Sequence, residues 1–185
     1  MRAGLRVFGE NRVQEAAAKR PDVPGSTWHL IGPLQSNKAR PAVSLFACVE
    51  TVDSVEIARR LDRIVGEVRP GDVLPVYVQV NVDQDAAKAG LAVGQVERMV
   101  EEIGALPALR IEGLMTVGRL LPDAEEARST FRDLARLSER LRRVAPALGA
   151  GLSMGMSDDF EVAVEEGATL VRVGRALFGE RPAVR

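Results

Sequence analysis

Two short stretches near the end of the chain combine residue types that can hold an anion. The first is SMGMSDD, Ser153 to Asp159, which lies between an apolar run and a segment of helical character. The second is Arg172-Val173-Gly174-Arg175, which closes the β-branched run TLVRVG and leads into a short apolar segment, ALFG. A glycine at a strand end, just ahead of a helix start, presents backbone N–H groups to an anion. Ser157 could add a hydroxyl to the same anion, so Ser157, Gly174 and Arg175 together would make a phosphate site. Arg172 brings a guanidinium, which can only donate hydrogen bonds. Plainer readings exist for both stretches. Ser157 or Asp158 could simply start the helix at 159–166, and Arg172 could be an interior charge paired with an acid.

These residues need elements to position them. Short runs rich in β-branched residues occur at 5–8, 27–32, 47–52, 74–80, 109–115, 151–155 and 169–174. Between most of them lie segments with helical period, at 55–68, 93–106 and 124–144. In the first of these, Ile57, Leu61, Ile64, Val65 and Val68 fall near one face. Asp53-Ser54 and Pro122-Asp123 mark helix starts. Strands that alternate with helices imply parallel βαβ units. Polar groups collect just after the strands, at Gly9-Glu10-Asn11, at Gln35 to Lys38, from Asn81 to Gly90 and at Thr116. Both open α/β sheets and (β/α)8 barrels place their sites at the carboxyl ends of strands. Seven strands fall one short of a barrel, while an open sheet lacks its usual Gly-rich loop after the first strand. Helix and strand patterning alone leaves both open.

The remaining composition narrows the function classes. The 185 residues suit one domain, 1–185, and 46% apolar content is enough for a sizeable core. A net charge of −1 gives no reason to expect nucleic acid or a membrane surface as a partner. The single cysteine, Cys48, excludes an internal disulfide and a cysteine-built metal cage, and the single histidine, His29, excludes a multi-histidine metal site. No apolar run reaches the ~18 residues needed to span a bilayer, and the N-terminus lacks the features of a secretory signal. The expectation is a cytoplasmic protein with no metal. His29 lies mid-strand and reads as a hydrogen-bonded core histidine, and Tyr77, also inside a strand, reads as packing. The charge-rich segment 124–143 reads as a solvated outer face.

The runs FGENRVQEA, WHLIGPLQSNKAR, VETVDS, VQVNVDQDAAKAGL, IEGLMTVG and LSMGMSDDFEVAVEEGATLVRVGRALFGER, in that order, resemble the pyridoxal phosphate homeostasis protein family. That family is similar to the N-terminal barrel of alanine racemase. The resemblance covers essentially the whole chain. It implies a TIM-type (β/α)8 barrel that binds pyridoxal 5'-phosphate (PLP). It also implies that Ser157, Gly174 and Arg175 hold the cofactor phosphate and that Arg172 points at the pyridine nitrogen. Asn11 could bond the ring oxygen, or could merely form a turn.

The family's Schiff-base lysine stands at the end of its first barrel strand, in a segment resembling A-V-S-K. No such segment precedes FGEN here, so the expected fold is a barrel missing its first βα unit, with unpaired edges at LRVF and TLVRV. The three lysines are Lys19, Lys38 and Lys88, and none matches the Schiff-base position. The function implied is a PLP-binding protein of intracellular PLP homeostasis, without catalytic residues of its own and with PLP-dependent apo-enzymes as possible partners. The alternatives are a racemase-like PLP enzyme and a PLP-free phosphate-binding barrel. Against the enzyme stand the missing tyrosine-bearing second domain and the missing lysine.

Overall fold

The computed structural model describes residues 4–118 and 123–179. Segment 119–122, with the Pro122 part of the helix-start signal, lies outside the described residues, as do 1–3 and 180–185. Parallel strands alternate with helices throughout. The order is β1 (Val7–Glu10), α1 (Val13–Lys19), β2 (Thr27–Leu30), α2 (Ala39–Leu45), β3 (Cys48–Val52), α3 (Val55–Val68), β4 (Leu74–Asn81) and β5 (Leu91–Ala92). It continues with α4 (Val96–Gly104), β6 (Leu109–Met115), α5 (Arg128–Arg142), β7 (Leu148–Met156), α6 (Phe160–Glu165), β8 (Leu170–Arg172) and α7 (Arg175–Phe178). The strand path is β1-β2-β3-β4-β6-β7-β8, with the two-residue β5 beside β4 and off the path. The seven strands on this path form a nearly closed barrel of the TIM type. Among the described residues, no pairing links its ends, β1 and β8.

Most elements follow their sequence signals. In α3 the residues Ile57, Leu61, Ile64 and Val65 are buried, and the Ser54 hydroxyl accepts the Ile57 N–H at 3.4 Å as the cap. The helix expected over 93–106 is shorter, because Val93–Gln95 forms a 3-10 turn before α4. Ala124–Ala127 is likewise a 3-10 turn, started by Asp123, whose carboxylate accepts the Glu125 N–H at 3.0 Å. Two elements had no signal strong enough to separate them from loop. These are α2, which carries Pro41 in its first turn, and β5.

Alternation along the strands divides two interiors. Leu74, Val76, Val78 and Val80 of β4 pack outward with Leu61, Phe131 and Leu134 of the helices in the main core. Each such side chain contributes about 1.5–3 kcal/mol when fully buried. The other face gives a small inner cluster of Cys48, Tyr77 and Met115. There β6 and β7 approach so closely that a Cβ on Gly113 would fall 1.8 Å from the Gly151 carbonyl oxygen. The segment expected as a solvated face buries Phe131, Leu134, Leu137 and Leu141 along α5, while Arg128 and Arg132 on its outer side pair with Glu165 and Glu166.

Candidate functional site

SMGMSDD turns sharply from β7 into α6. Gly155 makes this possible: its φ is +90°, and a Cβ there would lie 2.6 Å from the Ala163 Cβ. Asp159 closes the turn, its carboxylate accepting the Met156 N–H at 2.6 Å. Ser157 is thereby freed from capping α6. Its Oγ accepts the backbone N–H of Gly174 and that of Ala176, each at 3.2 Å. The loops after β7 and β8 therefore meet at one hydroxyl. A Cβ added to Gly174 would touch nothing within 4 Å, so open space lies beside these donors.

Arg172, the last residue of β8, is opposite Met156 in the β7 register. Its Nη1 donates to Ser153 Oγ at 2.6 Å and its Nη2 to the Thr116 carbonyl at 2.7 Å. Ser153 Oγ in turn donates to Glu50 Oε2 at 2.6 Å, and Glu50 Oε1 lies 2.7 Å from His29 Nδ1. The directions follow from the groups themselves. A guanidinium only donates and a carboxylate only accepts, so the Ser153 hydrogen goes to Glu50 and His29 carries its hydrogen on Nδ1. Glu50 is 1% exposed and Ser153 fully buried. Burial pulls the Arg172 guanidinium below its ordinary value, while the negative charges of Glu50 and Asp159 oppose that shift. The plainer reading of Arg172, an interior charge with an acid, is thus met through Ser153 rather than directly.

The other expected residues have contacts of their own. Asn11 is exposed just after β1, and its N–H donates to Glu10 Oε1 at 2.8 Å. The Arg175 side chain forms an ion pair with Asp158, and it is the N–H of Ala176, not that of Arg175, that shares Ser157 with Gly174. Lys19 reaches back to the buried Glu10 at 2.5 Å, a bond that raises the Lys19 value. Lys88 is held by Asp83 at 2.8 Å and by the Val117 carbonyl at 3.2 Å. Lys38 ends a 3-10 turn in the loop after β2. Tyr77 sits in the inner cluster, its hydroxyl pushed up to about 12, first by burial and then by the neighbouring Cys48 and Glu50. That environment suits packing and not a base.

The profile of the alanine racemase N-terminal domain matches residues 1–182. The pyridoxal phosphate homeostasis protein of Pseudomonas aeruginosa is 46% identical over 183 residues, covering 97% of this chain and 76% of that protein. The chain belongs to the pyridoxal phosphate homeostasis protein family. Its Escherichia coli K12 member is 38% identical over 188 residues, with 97% and 77% of the two chains covered. Among solved structures of this family, PipY of Synechococcus elongatus with PLP bound is 43% identical with a TM-score of 0.88, covering 96% of this chain and 84% of PipY. Alanine racemase of Clostridium difficile superposes with a TM-score of 0.81 at 16% identity, over 98% of this chain and 47% of the racemase, a likeness of fold. No helix among the described residues of this family member is long and apolar enough to cross a membrane.

Proposed function

We propose that this chain binds PLP and serves PLP homeostasis in the cytoplasm as a carrier, handing cofactor to PLP-dependent apo-enzymes without turnover of its own. The observation that carries the reading is the meeting of Ser157 with the Gly174 and Ala176 N–H groups, two and four residues beyond Arg172, the last residue of β8. The two 3.2 Å bonds are long, so a phosphate oxygen could take their place and recruit the serine hydroxyl as a third donor. Gly174 opens onto space and so leaves the anion room. Arg172 would face the pyridine nitrogen as a donor and keep it unprotonated. When bound, PLP supplies an aldehyde on an electron-withdrawing ring; with an arginine on the ring nitrogen that ring is a weaker electron sink than with an acid there. These residues bind and orient, which suits holding the aldehyde more than transforming substrates. The PLP-bound PipY structure supports the cofactor assignment by kinship.

Titration of the purified chain with PLP, followed by absorbance, tests this reading. Arg172→Ala and Ser157→Ala should each weaken binding about ten- to a hundredfold, the loss expected for one charge-assisted contact. Unchanged affinity in Arg172→Ala would remove Arg172 from the site. If neither variant differs from the parent, the phosphate assignment fails.

In the same reading the family's lysine belongs to a further strand that would occupy the gap between β1 and β8. Lys19 and Lys88 are engaged with acids, and Lys38 lies in the loop after β2. Borohydride reduction of the PLP-loaded chain, then peptide mass spectrometry, should therefore give no stoichiometric pyridoxyl adduct on Lys19, Lys38 or Lys88. A stoichiometric adduct on any of the three would overturn this part of the proposal.

A further inference from the structure

The residue meant to meet the ring nitrogen is not free to choose its orientation. Arg172 lies at the end of a polar chain that crosses the barrel interior from β2 to β8, through His29, Glu50 and Ser153. A buried acid and a buried arginine usually pair directly and bidentately. Here a serine stands between them. Ser153 takes one N–H from Nη1, and the Thr116 carbonyl takes one from Nη2. Two of the five guanidinium N–H groups are thus committed to β7 and to the end of β6, and the others remain for a ligand. Had Glu50 gripped the guanidinium directly, its fork would be drawn toward β3.

We propose that Ser153 and Glu50 are positioning residues that hold Arg172 in the orientation from which it donates to the cofactor's ring nitrogen, with His29 anchoring the far oxygen of Glu50. The inference rests on the PLP reading above. Each link has a defined role. Ser153 Oγ accepts from Arg172 and passes its own hydrogen to Glu50, which turns the Arg–Glu attraction into a fixed geometry. Glu50 also offsets the guanidinium charge inside the barrel, as Asp159 does from the β7–α6 turn. His29 occupies the second carboxylate oxygen and prevents Glu50 from swinging round to a bidentate grip.

The decisive measurement compares PLP with 1-deaza-PLP, in which a C–H replaces the ring nitrogen and the phosphate is unchanged. The parent chain should prefer PLP by about tenfold or more, the value of one charge-assisted hydrogen bond. In Ser153→Ala and Glu50→Gln the preference should shrink to within about threefold, with the loss confined to PLP. A general structural defect would instead weaken both ligands alike and leave the ratio standing. Variants that keep the parent's preference would overturn the positioning role. A parent without any preference would instead overturn the Arg172–nitrogen contact, and with it this inference. The second measurement needs no cofactor. His29 is the single histidine, so its imidazole nitrogen resonances can be read without ambiguity. At a fixed pH, the ligand-free parent should show hydrogen on Nδ1, and Ser153→Ala should shift both nitrogen signals. Identical signals in parent and variant would mean that no chain connects His29 to Ser153, and would end the proposal.

Discussion

Glu50→Ala should lower the stability of this chain by about 3 kcal/mol, toward the lower end of the range for breaking one partner out of a buried ion pair. The carboxylate is 1% exposed and accepts from Ser153 and from His29. Alanine would leave the Ser153 hydroxyl and the His29 Nδ1–H without an acceptor and deprive Arg172 of its nearer counter-charge. An orphaned buried donor costs about 1–3 kcal/mol. The lower end applies because the negative charge of Asp159 still acts on Arg172. Against a total of about 5–15 kcal/mol for a domain, the loss is large. Urea unfolding is the measurement, with the midpoint read at unchanged m. Glu50→Gln should cost less, since the amide oxygen keeps one acceptor. A loss under about 1 kcal/mol in Glu50→Ala would mean that water reaches the barrel interior and replaces the carboxylate.

Glu50 also marks the limit of what could be read beforehand. The strands, most helices and the outer core follow from period, and the seven-strand count follows from the β-branched runs. An acid within CVETV, a strand buried at every position, was a signal that it must have a partner. What hid the partner was distance: Ser153 lies 103 positions away in sequence, and only closure of the barrel brings the two together. Ala176 was hidden for another reason. Its contribution is a backbone N–H, which every residue type but proline carries, so no residue type announces it; the serine it meets was legible, the second donor was not. Lys19 was misleading in the opposite sense. A lysine in a helix is ordinarily solvated, and Lys19 is half exposed, yet its ammonium reaches the buried Glu10.

The open side of the barrel sets the second large effect. Among the described residues, both ends of the strand path, β1 and β8, lack a strand neighbour across the gap, so each is an edge of the sheet. Apolar side chains stand on both sides of it: Val7 is 55% exposed on β1, Leu177 57% and Phe178 69% on α7 just beyond β8. The centre of the sheet is different in kind. β4 and β6 are each paired on both sides and covered by helices, with Val76, Val78 and Leu114 fully buried. Edge amides can exchange through local opening that costs little, whereas the central amides need opening close to the global free energy of about 5–15 kcal/mol. Native-state hydrogen exchange should therefore show Val7–Glu10 and Leu170–Arg172 exchanging about a thousandfold or more faster than Val76–Val80 and Ile111–Met115. The same exposed edges should make the chain prone to associate as concentration rises. A soluble monomer whose edge amides are as slow as its central ones would show that seven strands close the barrel by themselves, and would leave no gap for a further strand to fill.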